Sequence, residues 1–259
     1  MKISAIIPAR YASQRLPGKP LLEIAGQPMI VHVYERVKLS QCLDDVIVAT
    51  DDERIAHVIR NVGGTVAMTR ADHESGTDRV AEVARELSSD LIINVQGDEP
   101  LFNCALIDDA VAPFEDDQNL LLGTLRAKIT ELDDVFNPNT VKVIVDLKDF
   151  ALYFSRAPIP FARGLMSLHG GRPSLSGLPT ERPTYFKHLG LYIYRRDFLL
   201  EYAAWPSTVL EKVEKLEQLR AMEHGIRIKC PLTEHSTISV DTPNDLARVK
   251  EIVEKGLLV

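Results

Sequence analysis

Up to Val95 the chain alternates two hydrophobic rhythms, and few architectures accept that alternation. Ile3 to Ile7 and Val46 to Ala49 are short apolar runs rich in β-branched residues, of the kind buried on both faces of a parallel sheet. Between them Ile30, Val33 and Val37 mark a helix. Ile55, Val58, Ile59 and Val62 follow the i, i+3, i+4, i+7 spacing of a second helix, which Gly63-Gly64 ends. Thr65 to Met68 reads as a third strand, and Leu91 to Val95 as a fourth. Ser75 and Asp78 form a capping-box signature ahead of Val80, Val83, Ala84 and Leu87. The expected fold class is therefore α/β, with a mostly parallel central sheet flanked by helices.

From Leu120 the rhythm changes. Leu120 to Ile129 reads as a strand, and Val141 to Val145 and Ala151 to Phe154 read as a strand pair joined by a turn. Residues 157–184 carry loop composition, with five Pro, four Gly and three Ser. A loop that long in a compact domain is usually functional or engaged with a partner. Tyr185 to Tyr194 returns to strand character, so 151–194 is a strand-loop-strand excursion. Ser207 is expected to open one helix running through Val213, Leu216 and Leu219 to Gly225. Thr237 to Val240 reads as a last strand, followed by a helix capped by Thr242 with Pro243 in its first turn. The 259 residues are expected to form a single domain.

A formal net charge of −7 argues against nucleic acid as the main partner. Cys42, Cys104 and Cys230 are far apart and form no metal-ligand spacing, which points to a reducing compartment. The N-terminal apolar run stops at Pro8, too soon for a signal peptide, and nothing approaches the roughly eighteen apolar residues of a spanning helix. The expectation is a cytoplasmic protein with no membrane partner.

Against that acidic background, Arg10, Arg15 and Lys19 crowd into ten positions together with Ser13. Cations so close repel one another unless an anion sits among them. Pro8, Pro17, Gly18 and Pro20 restrict the backbone between and around them. Such a loop, leaving the first strand of an α/β domain, suits a nucleoside triphosphate; the competing reading is a solvated basic turn. It is not a Walker loop, because Gly18-Lys19 is followed by Pro20, and no G-x-G-x-x-G follows the strand.

Two carboxylates complement the loop. Asp98, in N-V-Q-G-D-E-P, follows an apolar strand with Gln96 and Gly97, at the edge where open α/β sheets bind ligands. Asp241, in S-V-D-T-P, stands one position too early to cap the following helix. Together they are candidates for a Mg²⁺–nucleotide site, with simple capping by Asp98 as the alternative. Ser75 and Gly76 precede a helix whose first amides can receive a polar group, although plain capping also explains Ser75. Arg156 and His188 flank the long loop, and an arginine fork suits a carboxylate, although a surface arginine and a satisfied histidine also explain them. Glu214 and Gln218 are four apart and are expected to share a helix face, with a solvated charged face as the competing reading. No G-x-S-x-G or H-E-x-x-H motif is present.

Taken in order, I-P-A-R-Y-A-S-Q-R-L-P-G-K-P-L, V-A-T-D-D, S-G-T-D-R-V-A-E-V, N-V-Q-G-D-E-P, F-N-P-N-T-V-K-V, A-L-Y-F-S-R-A-P-I-P, K-H-L-G-L-Y-I-Y, L-E-Q-L-R and V-D-T-P-N-D-L closely resemble the bacterial 3-deoxy-manno-octulosonate (KDO) cytidylyltransferases. The pieces span residues 5 to 246. The resemblance implies a nucleotide-diphospho-sugar transferase fold, a homodimer, and transfer of CMP from CTP to KDO for lipopolysaccharide synthesis. It implies Arg10, Ser13, Arg15 and Lys19 on the triphosphate, and Ser75, Gly76 and Gln96 around the cytidine. It places Mg²⁺ on Asp98 and Asp241, with Lys19, Asp98 and Asp241 as the catalytic group. Arg156, His188, Tyr192, Glu214 and Gln218 would line the sugar-acid site, and 151–194 would serve that site and dimerisation. The stretch from Arg163 to Thr184 is longer than such a family leads one to expect. A cytidylyltransferase for 8-amino-KDO or a sialic acid, and a non-catalytic nucleotide-binding regulator, are the alternatives. A glycosyltransferase of similar fold would show a D-x-D pair, whereas Asp98 is followed by Glu99 and Pro100.

Overall fold

A computed structural model describes residues 1–12, 16–163, 166–169, 172–175 and 184–256. Ser13, Arg15 and much of the 163–184 stretch lie outside the described residues. The chain divides into two compact units. The first comprises Met1–Leu122, Gly190–Trp205 and His235–Val259, and the second Gly123–Leu189 and Pro206–Glu234.

The first unit opens with β1 (Ile3–Ala9), a 3-10 turn over Lys19–Leu21, and a ribbon of β2 (Glu23–Ile24) and β3 (Gln27–Pro28). Then come α1 (Met29–Val37), β4 (Asp45–Thr50), α2 (Glu53–Asn61), β5 (Thr65–Met68), α3 (Gly76–Arg85), β6 (Leu91–Asn94) and α4 (Ala105–Asp116). β1 pairs in parallel with β4 on one side and β6 on the other, and β4 pairs in parallel with β5. Ala5 stands opposite both Val46 and Ile93. Ala5, Ile6 and Ile7 are fully buried, as parallel strands covered on both faces require. The covering comes from the expected helix positions: Ile30, Val33 and Val37 in α1, Ile55 and Ile59 in α2, and Val80 and Ala84 in α3 are all fully buried. Each such side chain contributes about 1.5–3 kcal/mol on transfer from water, less for alanine. Gly63 ends α2 at φ 73°, the left-handed position that an L side chain resists.

The second unit carries most of β7 (Leu122–Lys128), then α5 (Leu132–Phe136), β8 (Lys142–Val145) and β9 (Ala151–Ser155). β8 and β9 form the expected antiparallel pair, closed by the Asp146 N–H to Phe150 carbonyl bond of 2.8 Å. A small antiparallel pair, β10 (Met166–His169) and β11 (Arg172–Leu175), falls within the stretch of loop composition. β12 (Phe186–Arg195) starts in the second unit and ends in the first, where Tyr192–Arg195 run antiparallel to β6 and lead into α6 (Arg196–Tyr202). The sheet of the first unit is thus parallel apart from this strand. α7 (Val209–Glu214), α8 (Gln218–Glu223) and β13 (Ile228–Lys229) complete the second unit, and α9 (Pro243–Glu254) returns to the first.

Two expectations need correction. The helix expected from Ser207 to Gly225 is two short helices, opened by Thr208 and broken where Lys215 turns left-handed at φ 54°. The carbonyls of Glu214 and Lys215 accept bonds from Arg156 at that break, so the backbone there serves a side chain instead of a helical ladder. Glu214 and Gln218 therefore do not share one helix face. Thr237 to Val240 is not a strand: it is irregular backbone, and Val240 donates its N–H to the Asp98 carbonyl at 2.9 Å. Among the described residues no helix is long and apolar enough to cross a membrane.

Candidate functional site

The first unit gathers the predicted polar residues at one end of β1. Gly18, at φ 68°, turns the chain so that Leu21 donates to the Gly18 carbonyl at 2.8 Å, and the buried Pro20 anchors the turn. Lys19 leaves this turn with its ammonium in reach of two carboxylates. It donates to Asp98 Oδ2 at 2.7 Å and to Asp241 Oδ1 at 3.1 Å.

Each carboxylate is placed by its own local structure. After β6, Val95 still donates to the Ile6 carbonyl, which lays Gln96-Gly97-Asp98 along the end of β1. A β-carbon on Gly97 would stand 2.8 Å from the Pro8 carbonyl oxygen, so glycine is required by the neighbouring backbone. Asp98 does not cap the next helix, because α4 begins after Cys104 and Asn103 Oδ1 takes the Ala105 N–H at 3.0 Å. Thr242 caps α9 with Pro243 in its first turn, as the sequence predicts, and Asp245 completes a capping box. Asp241 gives only its backbone N–H to Asp245, at 3.0 Å.

One ammonium between two carboxylates leaves the trio with room for more positive charge. Glu99 adds little negative charge, since burial first and the Asp98 charge second push it up to about 8. Among the described residues no three His, Cys, Asp or Glu side chains converge as a self-sufficient metal site. Two carboxylates at a crevice mouth are nevertheless what Mg²⁺ accepts when substrate phosphates and water complete its shell, so the donor set fits that ion.

Arg10, Lys19, Ser75, Gly76, Gln96, Asp98 and Asp241 all line one crevice of about 310 Å³ in this unit, within the usual range of ligand sites. Arg10 is exposed at the end of β1. Ser75 caps α3 in the predicted box with Asp78. Gly76 abuts the end of β1: a β-carbon there would meet Pro8 Cγ at 3.5 Å. Gln96 Nε2 donates to the Gly190 carbonyl at 3.3 Å. Sequence reasoning missed His73 and Arg79, which also line the crevice. Arg79 is buried, pairs with Asp51 at 3.2 Å and bonds the Thr69 hydroxyl. Its signal was available, because it lies four residues before Val83 on the apolar stripe of α3, where a charge needs a partner. His73 pairs with Glu82 across the start of α3.

The residues expected at the sugar acid lie in the second unit, apart from Tyr192. Arg156 is held by the main chain: Nε donates to the Glu214 carbonyl at 2.7 Å, Nη1 to Pro138 at 2.9 Å and Nη2 to Lys215 at 3.3 Å. The Glu214 carboxylate accepts the Ser155 hydroxyl at 2.6 Å and the Arg156 backbone N–H at 3.0 Å. The arginine is thus a guanidinium fixed by three carbonyls. His188 meets the Thr124 hydroxyl at 2.8 Å, and burial holds its imidazole down to about 3, so the ring is neutral. Gln218 is buried in α8. Tyr192 sits in the first unit, on β12 opposite Asn94.

Similarity to known proteins points to one family. A family profile described as cytidylyltransferase matches residues 4–228. The 3-deoxy-manno-octulosonate cytidylyltransferase of Geobacter sulfurreducens is 53% identical over 251 residues, covering 97% of this chain and 99% of the relative. That of Trichlorobacter lovleyi is 53% identical over 256 residues, covering 99% and 100%. A solved CMP:2-keto-3-deoxy-manno-octonic acid synthetase complexed with CTP superposes with a TM-score of 0.89 at 42% identity, covering 99% of this chain and 100% of that one. A 4-diphosphocytidyl-2C-methyl-D-erythritol synthase from Anaerococcus prevotii, 14% identical with a TM-score of 0.62 over 98% of each chain, shares the fold alone.

Proposed function

The chain belongs to the cytidylyltransferase family, among the 3-deoxy-manno-octulosonate cytidylyltransferases, and from that premise we propose that it transfers CMP from CTP to the anomeric hydroxyl of KDO. The products are CMP-KDO and pyrophosphate, and the activated sugar serves lipopolysaccharide synthesis. The observation that carries this reading is the convergence of Lys19, Asp98 and Asp241 at the crevice that Arg10, Ser75, Gly76 and Gln96 line.

In this reading the sugar hydroxyl attacks the α-phosphorus of CTP and pyrophosphate leaves in line. The enzyme's contribution is positioning and charge, with no covalent enzyme intermediate. Lys19 and Arg10, with Ser13 and Arg15, hold the triphosphate and stabilise the charge on the departing pyrophosphate. Ser75, Gly76 and Gln96 orient the cytidine. Asp98 and Asp241 would hold Mg²⁺, which supplies Lewis-acid stabilisation at the phosphate oxygens when bound. Arg156, His188, Glu214 and Gln218 of the second unit and Tyr192 of the first are assigned to the sugar acid, with the guanidinium of Arg156 for its carboxylate. The working protein is a cytoplasmic homodimer.

Pyrophosphate release is the direct test. Release with CTP and KDO together, and none with CTP alone, supports the assignment. Release with a sialic acid or 8-amino-KDO but not with KDO would replace the sugar and leave the nucleotide chemistry intact. No release with any acid sugar would overturn the reading.

A further inference from the structure

A line of contacts runs from the start of α2 to Lys19. Asp52, the N-cap of α2, accepts the Arg54 backbone N–H at 2.9 Å. It also grips the Arg54 guanidinium with both oxygens, Nε to Oδ1 at 3.0 Å and Nη2 to Oδ2 at 2.6 Å. That guanidinium lies 3.5 Å from the centroid of the Tyr11 ring. The same ring covers Gly18, where a β-carbon would stand 3.0 Å from Tyr11 Cε2 and 3.1 Å from Cζ and Oη. The Tyr11 carbonyl accepts the Gly18 N–H at 3.1 Å. Gly18 then opens the turn that carries Lys19.

A single arginine over an aromatic ring is common and says little. Here both ends of the stack are fixed. The guanidinium is held bidentate by a carboxylate that is itself fixed as a helix cap, and the ring lies close over a glycine where a β-carbon would be crowded. Rotation of the ring would release Gly18, and with it the direction in which Lys19 leaves the turn.

We propose that Asp52, Arg54 and Tyr11 form a positioning brace that holds the Gly18 turn and so aims Lys19 at Asp98, Asp241 and a bound nucleoside triphosphate. The ligand part of this inference rests on the CTP reading above. Tyr11 and Arg54 are positioning residues, since neither lines the crevice.

Calorimetric titration of the full chain with CTP and Mg²⁺ tests the brace in four variants. Tyr11→Leu is expected to weaken CTP binding about tenfold and Arg54→Ala about three- to fivefold, each with an unchanged melting temperature. Tyr11→Phe keeps the ring and should stay within about twofold of wild type, whereas Arg54→Lys keeps the charge but not the bidentate fork and should lose affinity as Arg54→Ala does. In turnover, the Tyr11→Leu loss should fall on KM for CTP more than on kcat. Hydrogen exchange of residues 16–22 in the ligand-free protein reads the turn without nucleotide, and should quicken in Tyr11→Leu and Arg54→Ala. Wild-type exchange in both variants overturns the brace, as does a Tyr11→Phe loss equal to that of Tyr11→Leu. Quickened exchange in a protein that binds no CTP at all supports the brace over the turn and counts against the CTP reading instead.

Discussion

The Lys19 ammonium stands 2.7 Å from Asp98 Oδ2 and 3.1 Å from Asp241 Oδ1, so one lysine is the shared counter-cation of two aspartates 143 positions apart in sequence. In the proposed function Asp98 and Asp241 would hold Mg²⁺ with oxygens that here accept from Lys19, so lysine and metal are expected to compete for them. Lys19→Met keeps the stem and removes the charge. Mn²⁺ binding to the nucleotide-free variant, followed by electron paramagnetic resonance, is expected to tighten several-fold. CTP turnover should fall by about 10²–10³, the usual cost of losing one donor aimed at developing charge. Unchanged Mn²⁺ affinity would show that the lysine does not compete.

The proposed shared Mg²⁺ predicts that Asp98 and Asp241 act as one functional group. Asp98→Asn and Asp241→Asn should each reduce turnover and raise the Mg²⁺ concentration needed for half-maximal rate. The double variant should lose far less than the product of the single losses, because groups that share a partner couple. Strictly multiplicative losses would separate the two residues.

Much of this site was legible in the sequence because its local signals are strong. Gly63 at the end of α2 and the boxes at Ser75 and Thr242 are short-range chemistry, and each appears where its residues put it. The meeting of Asp98 and Asp241 was legible for a partly mistaken reason. Asp241 does not follow a strand; it reaches the crevice because Val240 bonds the Asp98 carbonyl. The break at Lys215 was hidden, since a lysine at φ 54° carries none of the signal a glycine would. What stabilises it is two carbonyl bonds from Arg156, to Glu214 and Lys215, which no local window contains. The stack of Arg54 on Tyr11 was hidden for the same reason: it joins two distant segments.

His188 predicts a pH dependence of stability. Its folded-state value of about 3 lies below the ordinary 6.5, with burial as the cause. Below pH 6.5 the unfolded chain takes up a proton that the folded ring refuses. The contribution is therefore fully present above 6.5 and is lost as pH falls toward 3, at a limit of about 1.4 kcal/mol per pH unit. Urea unfolding at pH 7.5 and 5.0 should show a wild-type loss of up to about 2 kcal/mol from this group. His188→Gln retains a partner for Thr124 but cannot titrate, so its loss over the same interval should be smaller. Equal losses in the two proteins would assign the acid sensitivity elsewhere.

Gly97 predicts a stability cost that a surface glycine would not. A β-carbon there would meet the Pro8 carbonyl oxygen at 2.8 Å, Ile30 Cδ1 at 3.4 Å and Ile7 Cγ2 at 3.6 Å. The nearest contact is backbone of the central strand, which cannot swing aside as a side chain can. Gly97→Ala should destabilise the protein by about 1–3 kcal/mol, the range for overpacking a filled core. It should also displace Asp98, the next residue, and so reduce turnover beyond what the lost stability explains. Gly76→Ala is the matched control for stability: its nearest contact would be an ordinary 3.5 Å, and it opens a helix. Alanine there should be neutral or stabilising by up to about 1 kcal/mol. Thermal unfolding of both variants checks the contrast, and a Gly97→Ala protein as stable and active as wild type would mean that the Gln96–Asp98 segment does not need its close seat on β1.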